Sequence, residues 1–287
     1  QVKKLKVYLS QKNFLKKQKL KIKSIELFET NFFINKLDMI FIKKFLNKGF
    51  YKKPLIIKRA NLFFQDQDKN TISFLNLKKI NLYNNNKINQ DVLISNGEIF
   101  NIPFNITWKQ DQNKLEKNTS IKFKKIKLNI TNLSKLKNNI KENKLQIYFN
   151  RSRYMIDYDL NNKKVNFVSN NSFIGNNKIT FSGKIFFDPF NFNIDSSLDS
   201  IKLKRLIFKN MFIKEILSNE FFLNENFNGV INLNIGKLEK NPLFDSLNIN
   251  ANFAGQTIDL SNSVLSNKKI ANLILKKGIL FEQKNNL

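Results

Sequence analysis

Long stretches of this chain alternate apolar and polar residues with a period of two. The stretch Phe100–Trp108 has Phe, Ile, Phe, Ile and Trp at its even positions, with Asn, Pro, Asn and Thr between them. Because successive side chains of a β-strand point to opposite faces, this pattern predicts strands with one apolar and one polar face. The pattern recurs at Leu145–Phe149, Tyr154–Leu160, Ile179–Phe187, Phe190–Ile194, Ile231–Ile235, Leu247–Phe253 and Ile258–Leu260.

Groups of turn-forming residues separate these stretches and predict short connections between consecutive strands. They lie at Asn84–Asn86, Asn96–Gly97, Asn161–Asn162, Asn170–Asn171 and Ala254–Gly255. At Lys124–Lys125 the alternation slips by one residue, which we interpret as a β-bulge that restores the facing of the strand. The sequence therefore predicts a mainly β fold built on an antiparallel, meandering sheet.

Helical spacing is found at two places. Leu37, Ile40, Phe41 and Phe45 follow the i, i+3, i+4, i+8 pattern, and Gly49 lies where a helix end is expected. The stretch Leu206–Leu217 is similar. We predict one or two short helices that cap or plug an open end of the sheet.

The chain is strongly basic, with 50 Lys and Arg against 22 Asp and Glu and a net charge of +28 over 287 residues. One interpretation is attraction to nucleic acid or to an anionic membrane surface. The other is codon composition, because AT-rich codons supply Lys, Asn, Ile and Phe, and the chain has 29 Phe but only 8 Gly and 4 Pro. Both interpretations remain open at this stage.

The residues that usually perform catalysis or bind metals are scarce. There is no histidine and no cysteine, which excludes His-based triads, thiolate chemistry and most zinc sites. The stretch Asp66–Asn70 resembles the start of a calcium loop, but Thr71 occupies the position of the sharp-turn glycine and Leu77 that of the bidentate glutamate. We predict a turn with solvated carboxylates there, and no metal site.

Two further carboxylates, Asp157 and Asp159, flank Tyr158 on one strand face. They lie close in sequence to Arg151 and Arg153, so we predict surface ion pairs rather than a catalytic pair. We therefore expect a protein that is not an enzyme and needs no cofactor.

No run of about 18 uncharged apolar residues is present, which predicts that these residues contain no transmembrane helix. The chain begins with Gln1, and its first residues lack the apolar stretch and cleavage site of a signal peptide. We expect an internal piece of a longer protein, with any membrane anchor outside this chain.

A sheet with one apolar face must cover that face with a second sheet, with helices or with a ligand. A β-sandwich core is one solution. A sheet curled into an open trough that buries acyl chains along its inner face is another.

Several strand–turn–strand phrases resemble those of the AsmA/TamB-like family. In Val92–Trp108 a strand runs to a turn with Gly97 and is followed by a strand that carries a Pro-Phe pair. Ile179–Ile194, Gly229–Ser263 and Ile56–Leu82 are similar units, although Ala254 replaces the acidic residue that usually precedes the glycine. The resemblance covers most of residues 50–281.

This resemblance implies a fold and a function. Members of the family have an inner-membrane anchor and a long periplasmic β-groove, and are implicated in moving phospholipid toward the outer membrane and in envelope integrity. The chain would then be an antiparallel meandering sheet curled into an elongated open groove. Its partners would be phospholipid acyl chains and, through an anchor outside this chain, the inner membrane. The implied groove lining is Phe100, Ile102, Phe104, Ile106, Phe181, Ile185, Phe187, Ile249 and Phe253.

The predicted organisation has four segments. Residues 1–50 form N-terminal strands and a short helix leading into the sheet, 51–200 a β-groove segment, 201–228 a helical insertion or cap, and 229–287 an AsmA-like C-terminal β segment. Two alternatives to a lipid conduit remain open. One is a structural β-sandwich or envelope scaffold. The other is a basic nucleic-acid-binding protein, for which the Lys-Phe interleaving at Lys122–Lys125 would suit base stacking.

Overall fold

The computed structural model describes residues 1–11, 21–35, 38–47, 49–50, 53–65, 69, 71–99, 101–137, 140–161, 163–202, 227–255 and 257–281. These residues form 19 strands, so the prediction of a mainly β fold is confirmed. The chain divides into two compact units, residues 1–150 and residues 151–287, which we call the N-unit and the C-unit.

The described residues of the N-unit form nine strands and one helix of ten residues. They are β1 (Val2–Leu9), β2 (Ile22–Ile34), α1 (Asp38–Asn47), β3 (Leu55–Gln65), β4 (Thr71–Asn85), β5 (Gln90–Ile99), β6 (Ile102–Asp111), β7 (Glu116–Phe123), β8 (Leu128–Lys137) and β9 (Ile140–Phe149). Strand β1 is antiparallel to β2, β2 is parallel to β3, and each strand from β3 to β9 is antiparallel to the next.

The C-unit also pairs strands that follow one another along the chain, but its parallel pair comes later and its ending differs. Its strands are β10 (Ser152–Leu160), β11 (Lys164–Ile174), β12 (Asn177–Phe187), β13 (Phe190–Lys202), β14 (Asn228–Glu239), β15 (Ser246–Ala254), β16 (Thr257–Asp259), β17 (Val264–Ser266), β18 (Asn272–Ile274) and β19 (Ile279–Phe281). Strands β10 to β13 are antiparallel, β13 is parallel to β14, and β14 is antiparallel to β15. Strands β16 and β17 pair with opposite ends of β15, and they pair in turn with β19 and β18.

The prediction of a wholly antiparallel sheet is wrong, because the pairing is mixed. Parallel neighbours need a crossover connection that returns the chain to the same end of the sheet. Between β2 and β3 this connection contains α1, where a helix was predicted. The second helix, predicted at Leu206–Leu217 in the sequence between β13 and β14, lies outside the described residues.

Local hydrogen bonds mark the start of α1, and a left-handed glycine marks its end. At its start Asn35 and Asp38 each accept the other's backbone N–H through a side-chain oxygen, at 3.1 and 3.0 Å. This exchange satisfies two backbone donors that a helix N-terminus leaves unpaired. Two residues beyond its last residue, Gly49 has a φ of 81°, the left-handed conformation that ends helices. The predicted stop at Gly49 is therefore confirmed.

Two predicted turns and one predicted bulge are wrong. Asn96–Gly97 lies within β5 and Asn170–Asn171 within β11, while the residues Lys124–Lys125 belong to the turn that joins β7 to β8. In that turn Lys127 takes a φ of 53°, and its N–H donates to the Lys124 carbonyl at 3.2 Å. The apparent slip in alternation is a loop between two strands, with no glycine or proline to mark it.

Real bulges occur in β2, β3 and β4, side by side. Glu29 and Arg59 take φ values of 50° and 54°, and the register between β4 and β5 skips Lys78. The pairings pass from Leu27–Ile57 to Thr30–Ala60, so each strand uses one extra residue at the same level. Because the extra residues are aligned, the same face continues beyond the bulges.

Candidate functional site: the apolar faces

A row of eight aliphatic side chains and one serine crosses all nine strands of the N-unit. Its members are paired with one another from strand to strand. The row is Leu5, Leu27, Ile57, Ile80, Ser95, Ile106, Ile121, Ile130 and Ile147. With neighbouring strands about 4.8 Å apart, it extends over about 38 Å.

A second row and a third row flank this central row on the same face. The second is Val7, Ile25, Leu55, Leu82, Leu93, Trp108, Thr119, Asn132 and Leu145. The third row has two paired parts. The first is Val2, Thr30, Ala60, Leu77, Gly97 and Phe104, and the second is Phe123, Leu128 and Phe149. The rings of Phe104 and Phe123 join its two parts at 5.9 Å. None of the three rows contains a charged residue, and together we call them the N-unit apolar face.

The opposite face of the same strands is polar. The row next to the central one reads Lys4, Phe28, Lys58, Lys79, Asn96, Asn105, Lys122, Asn129 and Tyr148. Its lysines are distributed over β1, β3, β4 and β7 rather than gathered at one place. The predicted division into an apolar and a Lys/Asn face is thus present at the level of paired residues.

The missing side chain of Gly97 leaves room for a large ring on this face. It pairs with Phe104, and a Cβ at position 97 would come within 3.1 Å of Phe104 Cζ and would also meet the Asn76 carbonyl oxygen. Phe104 is only 3% exposed as a result. In the C-unit the pair Phe167–Gly183 repeats the arrangement, with Phe167 Cζ 2.7 Å from the position of a Cβ.

One end of the N-unit apolar face is tied to the segment after α1. Asp91 is fully buried and accepts hydrogen bonds from the Phe50 N–H at 3.0 Å, from Asn84 at 2.8 Å and from Gln112 at 2.6 Å. The ring of Phe50 packs against Trp108 at 5.4 Å. The buried carboxylate therefore holds an aromatic side chain over the second row.

Three buried oxygens on this side of the N-unit sheet have no hydrogen-bond partner within the described part of the chain. They are Thr30 Oγ1, Ser95 Oγ and Gln110 Oε1. A buried hydroxyl or amide without a partner lowers stability, so these positions are weak points of the face.

The C-unit brings four of the predicted lining residues together. One cross-strand row is Leu160, Val165, Ile185, Phe192, Gly229, Phe253 and Ile258. Another is Ser169, Phe181, Ser196, Leu233 and Ile249. Ile185 and Phe253 share the first row, Phe181 and Ile249 share the second, and both rows lie on one face. Phe187 pairs with Phe190 at the strand end.

The remaining predicted lining residues belong to the N-unit. Ile102, Phe104 and Ile106 lie on one face of β6, and Phe100 lies outside the described residues. Phe104 and Phe253 are already buried, at 3% and 9% exposure, whereas Ile106 is half-buried. The sequence prediction missed the half-buried Ile121, Ile130 and Ile147, although their alternation was visible, because only the register places them in one row with Ile106.

The predicted ion pairs of Asp157 and Asp159 are not formed among the described residues. Both aspartates are exposed, while the Arg153 guanidinium lies 5.1 Å from the centre of the Phe173 ring. None of the helices in the described ranges has the length and apolar character needed to cross a membrane. Comparisons of the chain with protein-family models, with curated proteins and with solved structures find no match.

Proposed function

We propose that the chain is a β-groove segment of an AsmA-like envelope protein that binds phospholipid acyl chains along its apolar faces. In this proposal the protein lies in the periplasm, is anchored in the inner membrane by a segment outside this chain, and conducts lipid between the inner and outer membranes. The observation that carries the proposal is the set of uncharged rows running across the strands of the N-unit.

The rows suit a long aliphatic ligand for a physical reason. An acyl chain gains about 0.8 kcal/mol for each CH₂ that it buries, and it needs no polar partner along its length. Ile106, Ile121, Ile130 and Ile147 are half-buried, so part of each side chain remains available to such a ligand. Transport would be passive, with acyl chains sliding along the rows and headgroups remaining in water.

The helix α1 has a place in this proposal. The ring of Phe45, in its last turn, contacts the ring of Phe50 at 5.8 Å, and Phe50 contacts Trp108. We propose that this aromatic series caps one end of the groove. The polar residues Asp91, Asn84 and Gln112 would hold the cap in place.

The test combines extraction with a fluorescence measurement. Protein purified from a bacterial envelope is extracted with organic solvent, and mass spectrometry should find phospholipid in stoichiometric amount. Trp108 is the single tryptophan of the chain and belongs to the second row, so phospholipid with brominated acyl chains should quench its fluorescence.

A matched pair of variants separates the two faces of one strand. Ile121→Asp places a charge in the central row and should abolish bound lipid and quenching, because a carboxylate is costly to bury against an acyl chain. Lys122→Asp changes the neighbouring residue, which is exposed on the polar face, and should leave both unchanged. Absence of lipid from the parent protein, or equal lipid in both folded variants, would contradict the proposal and favour the structural scaffold.

A nucleic-acid partner remains the second alternative. The lysines of the polar row are spread over several strands, and Glu26 pairs with Lys58 at 3.3 Å between them. This distribution offers no single basic track. Tight, salt-dependent binding of a single-stranded oligonucleotide would favour the alternative over the lipid proposal.

A further inference from the structure

The hairpin formed by β17 and β18, together with the adjacent Leu243, exposes large aliphatic side chains. Ile270 is 79% exposed, Leu243 64%, Leu273 59% and Ile274 55%. The Asn267 side chain links Leu243 to the turn: it donates to the Leu243 carbonyl at 2.6 Å and accepts the Ile270 N–H at 3.2 Å. We call these four aliphatic residues and the turn between β17 and β18 the tip.

The tip exposes apolar groups on both faces of a short strand. In β18, Leu273 pairs with Leu265, which packs against a buried cluster of the C-unit, and Ile274 pairs with Val264. Leu273 and Ile274 are consecutive residues of a strand, so they point to opposite faces. A flat protein partner would cover one face only, whereas shallow insertion into an apolar phase would cover both.

Basic residues surround the tip. Lys268 and Lys269 lie in the turn and are exposed. A cleft of about 660 Å³ next to the turn is lined by Lys237, Lys240 and Lys268, and Asp245 is the only acidic residue that lines it in the described part of the chain. The Asp245 carboxylate accepts the Lys268 N–H at 2.8 Å, so it has a structural partner. The cleft thus has the charge and the size to receive phosphate groups.

We infer that the tip docks the C-unit on an anionic bilayer surface, with the four aliphatic side chains in the interface and lipid phosphates at the lysines. Membrane-surface elements combine buried apolar area with electrostatic attraction to anionic lipid, and both features are present here. This docking needs neither apolar face, so it is independent of the acyl-chain groove.

Vesicle flotation tests the inference with the whole chain. The protein should float with vesicles of phosphatidylglycerol and phosphatidylcholine, and float much less with phosphatidylcholine alone or at high salt. Lys268→Gln with Lys269→Gln should weaken binding to the anionic vesicles about tenfold or more, because each lysine near such a surface contributes about 1 kcal/mol. Ile270→Ser with Ile274→Ser should weaken it at least about tenfold by removing apolar area.

Matched substitutions control for charge and for folding. Lys109→Gln with Lys122→Gln removes two exposed lysines from the N-unit and should leave vesicle binding within about twofold of the parent, since these lysines lie outside the tip. Circular dichroism verifies that each variant is folded. The inference is overturned if the parent does not bind anionic vesicles, if the control lysines matter as much as those of the tip, or if the tip variants instead dissociate an oligomer. Loss of copurified phospholipid in Ile121→Asp with unchanged flotation would separate this inference from the proposed groove.

Discussion

The two units use the same strand order to build different interiors. Each contains one parallel pair, β2–β3 or β13–β14, within an otherwise antiparallel series. Among the described residues of the N-unit, one apolar cluster, which includes both aliphatic and aromatic side chains, surrounds Ile57, Leu77 and Phe104. The C-unit has two clusters, one aliphatic around Leu198 and Ile235 and one aromatic around Phe192 and Phe253.

Their buried hydroxyl groups also differ. In the C-unit Ser169 and Ser172 are fully buried, their hydroxyls lie 2.6 Å apart, and Ser172 Oγ accepts the Met155 N–H at 2.9 Å. In the N-unit Ser95 Oγ is buried without a partner among the described residues. A sheet optimised only as a core would satisfy or replace such a group. The two units therefore differ in that the C-unit pairs these two buried hydroxyls with each other, whereas the Ser95 hydroxyl of the N-unit has no partner among the described residues.

The largest expected effect is a difference in stability loss between shortening a residue of a buried C-unit cluster and shortening a residue of the central row of the N-unit. Leu198→Ala removes a side chain that is 2% exposed and should lower the free energy of unfolding of the C-unit by about 3 kcal/mol. Ile130→Ala in the N-unit, where the side chain is half-buried, should cost about 1 kcal/mol. Denaturant unfolding followed by circular dichroism, with Trp108 fluorescence as a probe of the N-unit alone, distinguishes them. Equal losses would show that the row is an ordinary core.

Glycine substitutions test whether the two units use the Phe-over-Gly pairs in the same way. Gly97→Ala and Gly183→Ala would each bring a methyl group against a backbone carbonyl and a phenylalanine ring. Overpacking of this kind should cost about 2 kcal/mol in either unit. The unfolding midpoint followed by Trp108 fluorescence should shift for Gly97→Ala only. A neutral result at either site would mean that its ring is free to move aside.

Serine-to-alanine substitutions should change the stability of the two units in opposite directions. Ser95→Ala removes an unpaired buried hydroxyl and should stabilise the N-unit by about 1 kcal/mol. Ser172→Ala leaves the Met155 N–H without its acceptor and should destabilise the C-unit by about 1 kcal/mol. The shift of each unfolding midpoint measures the effect. Destabilisation by both would show that Ser95 has a partner in solution.

The smallest effect is a difference in how two carboxylates respond to salt. A hydrogen bond from Lys3, and the charges of Lys3 and Arg59, lower the pKa of Glu29 below 4.5, whereas hydrogen bonds from the Ser261 hydroxyl and backbone lower the pKa of Asp259 below 3.8. In both cases the folded state favours the carboxylate. The stabilisation is therefore present above the ordinary pKa and is lost as the pH falls through the lowered value.

Carboxyl-carbon NMR titration at low and at high salt measures both groups. High salt should raise the pKa of Glu29 toward its ordinary value, because its ion pairs with Lys3 and Arg59 are exposed and screened. The pKa of Asp259 should change less, since the Ser261 N–H donates to it at 2.8 Å. Equal salt responses would contradict the assignment of causes.

Much of the fold was predictable from local patterns, and the errors have physical explanations. Alternation located β6, β9, β10, β12 and β15, and helical spacing located α1. Asn96–Gly97 was interpreted as a turn because the pair favours one, but the ring of Phe104 lies over Gly97 and keeps it inside a strand. The turn at 124–127 was missed because Lys127 takes the left-handed conformation without being glycine or asparagine.

The candidate site was predictable only in part. The apolar identity of Ile102, Ile106, Phe181 and Ile249 follows from alternation within each strand. The row that joins Ile106, Ile121 and Ile130 depends on how separate strands pair, and a single sequence does not specify that pairing. The exposure of Ile270 and the lysine-lined cleft beside it likewise depend on residues brought together from β14 and from the turn after β17.

The sequence by itself determined that this protein has strands with an apolar and a polar face, because the two-residue period of a strand is a local property of the chain. The tertiary structure alone decided which strands are neighbours and where two of them become parallel. It also aligned the bulges of β2, β3 and β4, so that Leu27 and Thr30 lie on one face. These features depend on pairing between distant segments, since a shift of one residue in register would turn every apolar side chain of a strand to the polar face.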